Sequence, residues 1–216
     1  MSDPVAVVRV SVLKTGQLQA GPVLSYLLEH PSGKNALYGL GLKSDLAAYP
    51  PAVQPAIKEQ AAVPPNTDLA WRLEEAERER DTFAAAVLPS THWTHVGAPM
   101  HLLPSCPLLV GAGTLARLPG YPINEGAEVL HLDLPVKARV VKEVTEEDIF
   151  GDGSAVVLAA EGNPGALDVR VRTAAGPVLL VGSEGRTAEG QVLSTADAAL
   201  EARLDADGPW EVALVA

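Results

Sequence analysis

The feature that most constrains this chain is a succession of short, valine- and leucine-rich segments divided by turn residues. Between Ala127 and Ser183 the stretches "AEVLHLDL", "ARVVKEV", "SAVVLAA", "DVRVRT" and "PVLLVGS" follow one another, a pattern that predicts consecutive strands. A second group opens the chain. "VAVVRVSVLKTG" alternates, and "GPVLSYLLEHPSGKNALYGLGL" predicts two strands about the turn Pro31-Ser32-Gly33. Helical segments are fewer. Prolines at 50, 51, 55, 64 and 65 leave one short turn near Val53 to Gln60. Asn66, Thr67 or Asp68 is placed to cap a helix through "LAWRLEEAERERDTFAAA", followed by "AVL" as a short buried strand. "CPLLVGAG" reads as a further strand, and the tail "STADAALEARLDADGPWEVALVA" as one helix and a closing strand. Strands that dominate with helices interspersed favour two sheets flanked by helices over a single wound sheet.

A length of 216 residues with 47% apolar and 20% charged residues suits one packed domain over residues 1–216. The net charge is −11 and the sixteen basic residues form no cluster, so a nucleic acid would meet repulsion over most of the surface. Apolar runs such as Ala155 to Ala160 fall far short of the roughly 20 residues that span a bilayer. Asp3 and Arg9 stand in an alternating strand pattern rather than a secretory leader. A soluble, cytoplasmic protein is expected, with a homo-oligomer left open. Cys106, the single cysteine, has no basic neighbours in Pro-Ser-Cys-Pro and reads as a structural thiol.

The chemistry concentrates in "LPSTHWTHVG", where His92 and His95 stand three residues apart beside Ser90, Trp93 and Thr94. This segment follows the short strand, which is where α/β proteins place their sites. Gly111-Ala112-Gly113 lacks the third glycine and the acidic partner of a phosphate cradle. His30, His101 and His131 sit apart and read as structural, and Asp152 in "FGDGS" reads as a turn aspartate.

Four of these stretches carry a resemblance to a known family. "YLLEHPSGKNALYGLGL", "HWTHVGAP", "VGAGTLARLPGYPIN" and "FGDGSAVVLAA" resemble, in that order, segments of the metallo-β-lactamase superfamily, especially its lactonase-like branch. The resemblance runs from about Val5 to Val215. It implies an α/β fold of the αββα sandwich type, two mixed sheets flanked by helices, with the site at one edge between the sheets. It also implies a set of metal ligands, most of which are replaced. The His-x-His-x-Asp-His motif falls on Ser90, His92, Thr94 and His95. The later positions fall on Asn163, Ala166 and Ser183, and the final histidine would lie just beyond Ala216. Gly39 stands where the family's hairpin carries an aspartate.

Zinc takes three or four nitrogen, sulfur or carboxylate donors at about 2 Å, oriented by surrounding groups. By the resemblance His92 and His95 belong to different metals, so each would keep one protein ligand. The expectation is therefore no metal and no cofactor, and no metal-activated hydroxide. Three readings of the histidines stay open: inherited scaffold, a metal-free site with imidazole as base and Ser90 or Thr94 orienting substrate or serving as nucleophile, and one weakly held metal. Tyr38, Trp93, Thr94, Tyr121, Asn163 and Ser183 are the candidates for lining a substrate cleft. Two functions follow by analogy. One is a metal-independent protein acting on or binding a lactone, ester or polyketide-like molecule. The other is a pseudoenzyme with a partner-binding or regulatory surface.

Overall fold

The computed structural model describes residues 6–62, 68–75, 79–117, 120–134, 139–174, 176–182 and 191–194. Its strands and helices in chain order are β1 (Arg9–Leu18), β2 (Gly21–Glu29), β3 (Asn35–Tyr38), α1 (Gln54–Gln60), β4 (Ala61–Ala62), α2 (Leu69–Glu75), β5 (Phe83–Val87) and α3 (Trp93–Val96). There follow β6 (Leu108–Gly111), α4 (Thr114–Arg117), β7 (Val141–Val144), β8 (Glu146–Asp148), β9 (Ala155–Ala159), β10 (Leu167–Thr173), β11 (Gly176–Val181) and β12 (Gln191–Ser194).

Two mixed sheets result. The first runs β4-β1-β2-β3-β5-β6-β7 and the second β12-β11-β10-β9-β8. In the first, β1, β2 and β3 pair antiparallel as the Pro31-Ser32-Gly33 turn predicts, and β3, β5, β6 and β7 pair parallel. Alternation sorts the side chains. Val10, Val12, Tyr26, Tyr38 and Val87 of the first sheet meet Val157, Leu167, Val169, Val171 and Leu180 of the second in the central core. The opposite parity of the first sheet, with Leu27, Leu37, Ala86 and Leu108, packs under Leu69 and Leu73 of α2. The architecture is the expected two-sheet α/β sandwich. The helix and closing strand expected in the tail lie beyond Ser194, outside the described residues.

Two local expectations are corrected. Asp68 does cap α2, accepting from Trp71 N at 2.8 Å, but "FAAAV", whose first residues were expected to end that helix, is strand β5. Pairing with β3 and β6 and burial on both faces override the helical preference of alanine there. "AEVLHLDL" forms turns with one isolated bridge, Tyr121 to Leu130, instead of a strand. Asp133 accounts for it. Its carboxylate accepts from Leu130 N at 3.0 Å and from Lys43 Nζ at 2.7 and 2.8 Å, which turns the segment back on itself.

Candidate functional site

Strand β5 delivers the histidine segment to one end of the sandwich. Its ladder continues past Val87, with Leu88 N donating to Leu109 O, and Pro89 O accepting from Leu167 N of the second sheet at 2.8 Å. The chain then turns into α3, capped by His92 through its own side chain. Gly97 ends this turn at φ 51°, and an added Cβ would fall on the Leu40 carbonyl. The same region of backbone is pinned by Leu40 N donating to His95 O at 2.9 Å.

Ser90 Oγ lies 2.8 Å from His95 Nδ1 and accepts from His92 N at 3.1 Å. The Gly182 backbone also hydrogen-bonds the His95 ring and favours its protonated form, which marks a carbonyl acceptor. The neutral ring therefore gives its N–H to Gly182 and accepts the Ser90 hydroxyl proton at Nδ1. Burial, reinforced by the charge of His92, lowers the His95 pKa to about 3 against the Gly182 contribution. His92 Nδ1 faces Thr94, 2.8 Å from Oγ1 and accepting from the backbone N. That leaves Nε2 to carry the proton of the neutral ring. Burial lowers the His92 pKa as well, opposed by the charge of Glu128.

These groups stand in a cleft of two lobes. The first, about 340 Å³, has apolar walls from Leu18, Pro22 and Val23 of the first hairpin together with Pro89 and Ala166. The second, about 380 Å³, is walled by the loop that carries Asn124 and Glu128. Ser90, His92, Asn163 and Ala166 border both lobes.

Of the residues singled out in the sequence, Ser90, His92, Thr94, His95 and Asn163 are brought together here. Tyr38 and Trp93 are not. Tyr38 is fully buried in the central core, its hydroxyl donating to Leu167 O at 2.8 Å. Trp93 packs edge-on against Tyr49 at 5.9 Å in a separate apolar cluster with Val53 and Ile57. Tyr121 lies in the loop before Asn124 and borders neither lobe. Ser183 lies outside the described residues. The sequence reading missed Glu128, for which the chain carries no local signal, and Asp168. The latter is a buried carboxylate in β10 bordering the first lobe, and an acid inside the strand pattern "LDVRVRT" was its signal.

The fold family implies a metal centre between the sheets. Among the described residues no three of His, Cys, Asp and Glu gather closely enough to hold an ion. His95 has both ring nitrogens engaged, by Ser90 and Gly182. Asn163 borders the cleft as a neutral amide. The described donors do not make a zinc site.

No family model matches the chain. The metallo-hydrolase mfmC of Annulohypoxylon moriforme is 32% identical over 172 residues, covering 71% of this chain and 45% of that protein. The γ-lactamase MBL2 of Gibberella moniliformis is 27% identical over 155 residues, 65% of each chain. The chain thus spans under half the length of mfmC, 45%. Among solved structures, B. thuringiensis AiiA with N-decanoyl-L-homoserine bound at its active site superposes with a TM-score of 0.64 at 16% identity, over 82% of this chain and 75% of that one. At that identity the likeness is one of fold. The chain is thus similar in sequence to a metallo-hydrolase and a γ-lactamase over about two thirds of its own length, and its fold is the metallo-β-lactamase-like sandwich.

Proposed function

We propose that this chain is a metal-independent member of the metallo-β-lactamase superfamily that binds, and turns over, a small carbonyl compound of the lactone, ester or cyclic-amide class in the two-lobed cleft. The observation that carries this reading is the 2.8 Å contact between Ser90 Oγ, which borders both lobes, and His95 Nδ1 in the first. His92, with its proton on Nε2, offers a donor to a carbonyl oxygen. Ser90 supplies an oriented hydroxyl beside it. The γ-lactamase and the homoserine-bound AiiA supply the substrate class by analogy. A neutral, buried His95 aligns the hydroxyl well but stores a proton poorly. That low basicity favours a second reading, a binding protein without turnover.

The experiment measures opening of an N-acyl homoserine lactone and of a γ-lactam by the full chain in excess chelator, with calorimetric binding of the same two probes. Turnover that survives chelation and disappears in Ser90→Ala supports the enzyme. Binding lost in His92→Ala, with no turnover, supports the second reading. Turnover abolished by chelation and restored by zinc overturns both.

A further inference from the structure

A second group of chemistry-bearing side chains lies outside the cleft, at the other end of strand β3. The turn that joins β2 to β3 carries His30 and Ser32, and the loop between β8 and β9 carries Asp152. Packing of the two sheets brings them together although His30 and Asp152 are 122 residues apart. Ser32 Oγ lies 2.7 Å from His30 Nδ1, and His30 Nε2 lies 3.0 Å from Asp152 Oδ2. The tautomer follows from the partners. A carboxylate on Nε2 requires the proton there, and Ser32 N donates to Nδ1 at 3.1 Å, so Nδ1 is the acceptor of the Ser32 hydroxyl. Serine, imidazole and carboxylate are thus linked in the order that activates a serine.

The surroundings hold this relay in place. Phe150 stacks on the imidazole with centroids 4.7 Å apart and planes at 26°. Asp148 accepts from Gly151 N at 2.9 Å and Gly153 N at 2.7 Å, and Asp152 Oδ1 accepts from Ser154 N at 3.0 Å, which fixes the loop around the carboxylate. Ser32 itself is exposed.

We propose that Ser32, with His30 as base and Asp152 orienting it, is a second nucleophilic site that takes an acyl group from activated esters. The Ser32 oxygen attacks the ester carbonyl and its proton passes to His30 Nδ1, while Asp152 holds the imidazolium at Nε2. The tetrahedral intermediate expels the alkoxide or phenoxide leaving group, the acyl group remains on Ser32, and His30 returns its proton to solvent. The nearest backbone donors are already engaged: Ser32 N by His30 Nδ1 and Gly33 N by His30 O at 2.9 Å. With no free pair of N–H groups there to stabilise an oxyanion, the site is suited to donors with good leaving groups and not to amides.

The test treats the full chain with p-nitrophenyl acetate, follows p-nitrophenolate release, and locates the acetyl group by peptide mass spectrometry. One acetyl on Ser32 is expected, absent in Ser32→Ala, and formed about a hundredfold more slowly in His30→Gln, the usual scale of general-base assistance. Asp152→Asn, which keeps an oxygen for Ser154 N, should fall between the two. Equal rates of Ser32 labelling in the wild type and His30→Gln overturn the proposal. So does a label confined to lysines or to Ser90.

Discussion

The imidazole of His95 joins the two sheets: its Nδ1 meets Ser90 Oγ, just past β5, at 2.8 Å, and its N–H meets the Gly182 carbonyl, just past β11. A ring held this way is neutral in the folded protein and ordinary in the unfolded chain, where its pKa is about 6.5. The unfolded state therefore binds the extra proton as pH falls from 6.5 toward about 3. The stability that His95 contributes is complete above the unfolded value and is lost across that window, by up to about tenfold in the folding equilibrium per pH unit. Denaturant melts at several pH values should show this slope, and His95→Gln should flatten it. A wild-type slope retained in the variant refutes the assignment.

Glu128 and His92 both border the second lobe, and the carboxylate raises the His92 pKa against the larger effect of burial. Glu128→Gln removes that attraction, so the His92 pKa should fall further. NMR titration of the ring protons reads it directly, and a rise would contradict the placement of Glu128.

Lys43 and Asp133 form an ion pair at 2.7 Å with side chains only 7% and 2% exposed. Lys43→Met leaves the carboxylate buried without its cation and should destabilise the fold by about 3–5 kcal/mol. Lys43→Met combined with Asp133→Leu should recover most of this loss. Chemical denaturation of the two variants checks both outcomes, and equal stability of the single variant and wild type would show the pair to be dispensable.

Gly97 closes the histidine turn at φ 51°, where a Cβ would fall on the Leu40 carbonyl. Gly97→Ala adds both backbone strain and a collision with main-chain atoms, at a cost of about 3 kcal/mol. Ligand binding in the cleft should weaken with it, because Leu40 N also pins His95 O. A variant with unchanged melting temperature would refute this.

A metal bound to the folded state at a hundred times its Kd would add about 2.7 kcal/mol of stability. Zinc titration of the metal-stripped chain should leave the melting temperature unchanged. A rise of several degrees that vanishes in His92→Ala would restore the metalloprotein reading.

The amino-acid sequence by itself determined the hairpin around Pro31-Ser32-Gly33, a capped helix start within Asn66 to Asp68, strands β7, β9, β10 and β11, and the grouping of Ser90, His92, Thr94 and His95 in one turn. All of these rest on local periodicity, turn chemistry and near neighbours, which a short stretch of chain contains in full. Tertiary structure decided the rest. "FAAAV" became a strand because β3 and β6 flank it, Tyr38 and Trp93 were taken into apolar clusters, and "AEVLHLDL" bent around the Lys43–Asp133 pair. The same holds for Glu128, whose loop lines the lobe that His92 borders, and for Asp152 on His30, brought together by the packing of two sheets across more than a hundred residues of intervening chain, information that no window of sequence contains.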